Sequence, residues 1–377
     1  MTTLSTTSLT ARTLDQAGDH DLWNSFVGGV PEGDVLQAWE WADVKGPEWA
    51  PVRVGVFRDG TLIAGAQILK RALRIGRLPA LGTFYYAPRG PIMRDWNDQA
   101  ALEALLAAIA ERAKGDRAAF LKIDPAVRVE REDILSRLKA LGFGPPASAD
   151  AQGFGGTQPR CVMQLDLTGK SQQDLLAEFK PQTRRNIKLA TDKHGVRAVK
   201  NVTREHLADF DRLMQVTGER DGFRPRPLSY FQTVWDHLVP VGMAKLFLTI
   251  HEGDILSGAL CFKINDKAWY VYGASSNDKR NVMPNYAMQW EMIAWAHEEG
   301  CSWYDFRGVS PRRRQEGEDV ADLEKNDHLQ GLNRFKEGFS PRYVEYLGEF
   351  DLVYNSMIYA IYNRAFAMRN NMKRRKR

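Results

Sequence analysis

PVRVGVFRDGTLIAGAQILKR, residues 51–71, reads as a strand, a turn at Asp59-Gly60 and a second strand. Apolar side chains alternate on both sides of the turn, and Asp-Gly suits a tight two-residue hairpin. Downstream lie a strand region, LGTFYYAPRGPI (81–92), an Ala/Leu-rich helix, DQAALEALLAAIAERAKG (98–115), and a short strand, AAFLKIDP (118–125). The same order returns in the second half of the chain. AKLFLTIHEGDILSGALCFKI (244–264) gives strand, turn at Glu252-Gly253-Asp254, and strand. KAWYVYGASS (267–276) is a further strand, NYAMQWEMIAWAHEEG (285–300) a helix, and SWYDFRGV (302–309) the closing strand. Gly65-Ala66 and Gly258-Ala259 hold matching places about half a chain apart. The pattern predicts a duplicated α/β unit. Between the copies PPASADAQGFGGTQPR (145–160) has linker composition, so the boundary is placed near residue 150. A single α/β domain with one long loop is the alternative, and loops of that length are uncommon in compact domains.

The chain has 377 residues, enough for two cores, with ordinary globular proportions of 44% apolar and 26% charged residues. Its net charge is +5, and the last five residues, KRRKR (373–377), are all basic, so the remainder sums to zero. Contact with nucleic acid or an anionic surface must therefore be local. Three cysteines without a CxxC pair point to a reducing compartment, and the seven histidines show no HExxH or HxH spacing, so no metal site is expected. The N-terminus lacks a signal-peptide pattern and no apolar run is long enough to span a bilayer, so a cytoplasmic protein is expected. TGKS (168–171) lacks the upstream glycine of a phosphate-binding loop and reads as a helix N-cap.

Strand, strand, strand, helix, strand is the order of an acetyltransferase-like (GNAT) unit. The expected fold class is therefore α/β, a tandem duplication of such domains with mixed sheets flanked by helices. Neither copy carries the Gly-rich turn, [RQ]xxGxG/A, whose backbone amides would hold coenzyme A pyrophosphate: the strands end in YYAPRGPI and YGASSNDKR. Another acyl donor is implied.

Four ordered segments carry a resemblance: VLQAWEWADVKG (35–46), EFKPQTRRNIKLATDKHGV (178–196), YVYGASS (270–276) with PNYAMQWEMIAWAHEEGCSWYDFRG (284–308), and GLNRFKEGFSPRYVEYLGEFDLV (331–353). Together they resemble the FemABX family of peptidoglycan-bridge aminoacyltransferases. Residues 203–238 show no sustained heptads, so the chain is similar to the members without a coiled-coil arm. The resemblance implies transfer of an amino acid from aminoacyl-tRNA to the stem-peptide amine of UDP-MurNAc-pentapeptide or lipid II. It also implies two domains, 1–150 and 151–346, with a C-terminal helix (347–377) returning to the first. No cofactor is needed, because aminoacyl-tRNA is a co-substrate and its ester is already activated.

By this resemblance Lys336 stabilises an oxyanion or a terminal tRNA phosphate, and Phe335 stacks on the terminal adenine. Lys45 and Arg185 are candidates for the acceptor's diphosphate, with Arg184 competing for the second role. The run 180–200 has seven Lys/Arg against a single acid, Asp192, which favours an anionic partner over a self-paired helix face. Tyr270 and Tyr272, two apart on a strand, are expected on one face, where they could bind the stem peptide or relay a proton. Tyr85, Tyr86 and Arg89 take the corresponding place in the first copy, and Asp95 is a candidate amine-binding carboxylate. The charged segment 310–330 reads as a loop that orders around tRNA, and the basic tail as a peripheral contact with an anionic membrane or with tRNA. The tail is expected to leave helical form at Asn370 and Asn371. Two rival functions are transfer to protein N-termini and binding of a cell-wall precursor without catalysis.

Overall fold

A computed structural model describes residues 8–74, 80–147, 157–311 and 330–374. Its strands, in chain order, are β1 (Leu9–Thr13), β2 (Ala50–Arg58), β3 (Thr61–Leu73), β4 (Gly82–Ala87), β5 (Ile92–Met93), β6 (Ala118–Ile123), β7 (Cys161–Asp166), β8 (Arg197–Ala198), β9 (Ala244–His251), β10 (Asp254–Ile264), β11 (Lys267–Ser275), β12 (Trp303–Gly308), β13 (Arg342–Glu345) and β14 (Phe350–Val353). The chain divides into two compact units, Met1–Arg160 with Glu345–Arg377, and Cys161–Val344. The divisions thus fall at 160/161 and 344/345, where the sequence reading placed them near 150 and 346. The hinge-like composition of 145–160 ends at β7, which begins the second sheet.

In the first unit the sheet runs β1-β2-β3-β4-β6-β14, with β5 on β3. Both hairpins read from sequence form. Asp59 (φ 49°) and Gly60 (φ 80°) turn β2 into β3, and Glu252 (φ 50°) and Gly253 (φ 89°) turn β9 into β10. Left-handed values at both central residues match the twist of the flanking strands. The helix Gln99–Gly115 starts at Asp98, whose carboxylate accepts from the Ala101 amide at 3.1 Å. It buries Leu102, Leu105, Leu106 and Ile109 against Val54, Val56, Ala64 and Ala66 of the sheet. At β14 the chain returns from the second unit and pairs antiparallel with β6. The C-terminal helix Ser356–Arg374 then lies on this unit, with Ile358, Tyr359 and Tyr362 packed on Leu73, Phe84 and Phe120. It passes through Asn370 and Asn371 to Arg374, beyond the end expected from sequence. An asparagine costs only about 0.7 kcal/mol against alanine in a helix, too little to end one. Residues 375–377 lie outside the described residues.

The second unit has the sheet order β13-β7-β12-β11-β10-β9-β8. The helix Pro284–Glu298, opened by a proline at its first turn, buries Met288, Met292, Ile293 and Ala296 in a core with Cys261, Tyr304, Phe306 and Phe339. All three cysteines are buried thiols. Ser171 of the TGKS stretch caps the helix Gln172–Glu178 in a capping box with Asp174. Residues 203–238 form two short helices, Leu207–Asp221 and Leu228–Leu238, with Gly222 (φ 72°) at the turn. Of the charged segment 310–330, residues 312–329 lie outside the described residues.

The matching glycines have one physical cause. A Cβ on Gly65 would stand 2.8 Å from the ring of Trp23, which projects from the helix Asp19–Gly29. A Cβ on Gly258 would stand 2.9 Å from the ring of Phe210, which projects from Leu207–Asp221. In each copy a helix ahead of the sheet presses an aromatic ring onto the central strand.

Candidate active site

The neighbouring parallel strands β11 and β12 pair at only three positions, Lys267 with Trp303, Ala268 with Tyr304 and Trp269 with Asp305. Beyond these each strand is bulged. On β11, Tyr270 faces Cys261 and Tyr272 faces Leu260, so Val271 is an extra residue. On β12 the pairing to β7 slips between Asp305 and Gly308, where Arg307 takes φ 60° and its amide donates to the Asp305 carboxylate at 2.6 Å. Bulges bend a strand and increase its twist. Here two of them sit where β11 and β12 cease to pair.

The bulge overturns one expectation. Tyr270 and Tyr272 do not share a face. Tyr270 borders the core around Cys261, whereas Tyr272 packs on Phe231 and Phe262 and shares a 2.9 Å hydrogen bond with the Tyr230 hydroxyl. Cys261 and Phe262 are successive strand residues, so the two tyrosines lie on opposite sides. The hydroxyl of Tyr270 folds over Gly273, whose Cβ would lie 1.7 Å from it. Burial holds the Tyr270 phenol well above its ordinary range.

Lys336 lies beside this opening. The helix Gln330–Glu337 carries it inward, 3% exposed, and its ammonium donates to the Gly308 carbonyl at 2.6 Å. Burial pulls its pKa down to about 7, against the opposing pull of Asp305. An ammonium has three donors, and the Gly308 bond uses one. Phe335 is half-buried, its ring 5.0 Å from Tyr286 and 5.3 Å from Phe339. Thus Lys336, Phe335 and Tyr270 come together around one core, and Tyr272 does not join them.

The FKEGF and EFKPQTRR segments pack on each other. Phe179 meets Phe339 at 5.2 Å, and the Lys180 amide donates to the Gly338 carbonyl at 2.9 Å. A Cβ on Gly338 would lie 2.2 Å from the Thr183 hydroxyl, which explains the glycine. The helix Pro181–Lys188 therefore begins against the end of the Lys336 helix. Its two arginines separate cleanly. The Arg184 guanidinium donates to the carbonyls of Ala177 at 2.7 Å and Phe179 at 2.6 Å, which satisfies the end of the preceding helix. Arg185 is exposed and makes no such bond. Arg184 is thus occupied by its own backbone, whereas Arg185 is exposed.

In the first unit the corresponding strands, β4 and β6, stay paired to their ends, at Ala87 with Ile123. Past these ends Tyr86, Arg89 and Asp124 form a buried cluster. The Tyr86 hydroxyl donates to Asp124 at 2.8 Å and the Arg89 amide at 2.5 Å. Arg89 (φ 56°) sends its guanidinium to the Pro159 carbonyl at 2.6 Å and over the ring of Tyr346 at 4.8 Å. Burial raises the Asp124 carboxyl to about 7, with the Arg89 guanidinium opposing. Sequence reading missed Asp124, although an acid closing the apolar run AAFLKI is an available signal. Tyr85 points elsewhere and donates to Asp116. Lys45 is half-buried, with its ammonium 5.1 Å over the Trp49 ring. Asp95 is exposed and accepts from the Asn97 amide at 2.8 Å, which makes it a turn former ahead of the helix.

The segment from Ser276 to Met283, which joins β11 to the helix at Pro284, contains no glycine. Residues 88–98, in the matching place of the first unit, contain only Gly90. Neither is a glycine-rich phosphate cradle.

Comparison with known proteins places this geometry. The profile of the FemAB family matches residues 19–250 and 241–366. A lipid II:glycine glycyltransferase of Staphylococcus saprophyticus is 33% identical over 92% of this chain and 93% of its own length. One from Staphylococcus aureus is 32% identical over 91% and 93%. These alignments run over 410 and 411 positions, more than the 377 residues here, so the relatives carry insertions this chain lacks. The crystal structure of FemX superposes with a TM-score of 0.80 at 30% identity, over 93% of this chain and all of that one. A tandem GNAT protein from the clavulanic acid pathway, 13% identical with a TM-score of 0.52 over 91% and 98%, shares the fold. The chain belongs to the FemAB family and is an aminoacyltransferase.

Proposed function

We propose that this enzyme takes an amino acid from aminoacyl-tRNA and joins it to the stem-peptide amine of a peptidoglycan precursor, lipid II or UDP-MurNAc-pentapeptide. The observation that carries the reading is Lys336, a buried ammonium with donors to spare, held at the Gly308 carbonyl beside the opening between β11 and β12. The staphylococcal relatives, named for glycyl transfer to lipid II, supply the acceptor class. The lack of a glycine-rich cradle in either copy argues against coenzyme A as donor.

The step is aminolysis of an ester. The acceptor amine attacks the ester carbonyl, a C–N bond forms, and the C–O bond to the ribose breaks. The amine gives up a proton and the ribose hydroxyl takes one. Lys336 offers an N–H to the carbonyl oxygen as negative charge builds there, in a site where water does not screen it. Its lowered pKa also lets it pass a proton near neutral pH. Phe335, half-buried beside Lys336, offers an aromatic ring for a terminal base to stack on. Arg185, an exposed cation of the second unit, and Lys45, whose ammonium lies over the Trp49 ring in the first, are suited to phosphate, and Tyr86 and Arg89, both bonded to Asp124, brace the closed end of the first unit.

The test is transfer in vitro. Purified protein is incubated with a full set of charged tRNAs and either precursor, and products are read by mass. One added amino acid residue on the precursor is expected. Acetylation of a peptide amine from acetyl-CoA, with charged tRNA ignored, overturns the donor. Transfer to a protein N-terminus but to neither precursor overturns the acceptor.

A further inference from the structure

We propose that the C-terminal helix Ser356–Arg374 seats this enzyme on an anionic lipid bilayer. One side of the helix is used up in holding the first unit together, through Ile358, Tyr359 and Tyr362. Another side exposes Met357 (70%), Ile361 (39%) and Met368 (55%). Positions i, i+4 and i+11 stack along one line of a helix. Single exposed apolar side chains are ordinary, whereas an aligned set of large ones marks a contact surface.

Charge identifies the partner. After Asp351 the chain has no acidic residue, and it carries seven Lys/Arg, five of them in the final run. Arg364 is exposed on the helix itself. On β3, Leu73 packs under the helix while its neighbours Arg71 and Arg74 are exposed, and Leu81, just before β4, is 43% exposed. An apolar line bordered by basic residues is the composition of helices that lie in the plane of a membrane interface. Anionic headgroups attract the cations and the acyl boundary takes up the methionines and isoleucine. Nucleic acid would use the cations and leave the apolar line in water. A second copy of the chain would bring two basic tails together at a cost in repulsion. No helix among the described residues is long and apolar enough to cross a bilayer, so the contact lies on its surface. The inference stands apart from the choice of donor and acceptor, and the vesicle assay contains neither.

Full-length protein is floated with vesicles of phosphatidylcholine, with and without phosphatidylglycerol. Binding to the anionic vesicles alone is expected. The triple variant Met357→Ser, Ile361→Ser, Met368→Ser should keep its melting temperature and lose about tenfold or more in vesicle affinity. A chain ending at Met372 should lose a similar factor at low salt. The proposal is overturned if both variants bind anionic vesicles like the parent. It is equally overturned if the parent sediments as a dimer that the triple variant dissolves, or if the shortened chain loses tRNA binding while vesicle binding is unchanged.

Discussion

The two copies of the duplicated unit differ most where their parallel strands end. In the first copy β4 and β6 stay paired, and a buried cluster of Tyr86, Arg89 and Asp124 closes the space beyond them. In the second copy β11 and β12 part after three pairs, both strands are bulged, and Lys336 is set at the gap. The shared frame is intact in each: the Gly-centred hairpins, the ring-on-glycine contacts and the flanking helix. Duplication therefore supplied two scaffolds, and of these two strand pairs the second parts where the first stays joined.

The largest expected effect tests that division. Lys336→Met should lower turnover by about 10²–10³, the usual cost of one oxyanion donor. The same variant reports the burial of the lysine. Its folded pKa, about 7, lies below the ordinary 10.5, so between these values the unfolded chain holds a proton that the folded one has released. Wild-type stability rises with pH across that window. Methionine does not titrate, so the melting temperature of the variant relative to wild type should fall between pH 7 and pH 10. A flat difference would show that Lys336 is not held as described.

The shared frame can be broken in either copy. Gly65→Ala and Gly258→Ala each force a methyl group against an aromatic ring, and each should cost about 1–3 kcal/mol in thermal or denaturant unfolding. A penalty in one copy only would make the match a coincidence of sequence. A smaller effect should come from the closed end of the first unit. The folded Asp124 carboxyl, raised to about 7 from 3.8, stays protonated where the unfolded one ionises. Its contribution to stability therefore declines as pH rises from about 4 to 7. Asp124→Asn should gain several degrees in melting temperature relative to wild type between pH 4.5 and pH 7.5, and a constant offset would contradict the burial. The smallest effects separate two neighbours. Arg185→Ala should raise KM for the phosphate-bearing acceptor and leave the melting temperature unchanged. Arg184→Ala should do the reverse, with a loss of about 1 kcal/mol per hydrogen bond. Exchange of these two outcomes would reassign the roles.

Much of this frame was legible in the sequence because hairpins and amphipathic helices write their period into it. The Asp-Gly and Glu-Gly turns, the repeated Gly-Ala pair and the FKEGF segment were all found where the structure uses them. The faces of Tyr270 and Tyr272 were misread because alternation assumes regular pairing, and one unpaired residue, Val271, reverses everything after it. Arg184 and Arg185 could not be told apart, since helical phase does not say which carbonyls a preceding helix leaves unsatisfied. Asp124 was passed over because a lone acid at a strand end is usually solvated. Only the fold buries it beneath Tyr86 and Arg89.

The first unit is assembled from Met1–Arg160 and Glu345–Arg377, with the whole second unit threaded between them. β14 covers the edge of β6, and the terminal helix covers Phe120 and Leu73. A ribosome delivers the body of this unit first and its closing strand last. Until β14 and the helix Ser356–Arg374 have been made, the first sheet keeps an unpaired edge and a bare aromatic patch, the surfaces that chaperones and proteases recognise. A chain cut between Val344 and Phe350 thus carries all of the second unit and lacks the strand and helix that close the first.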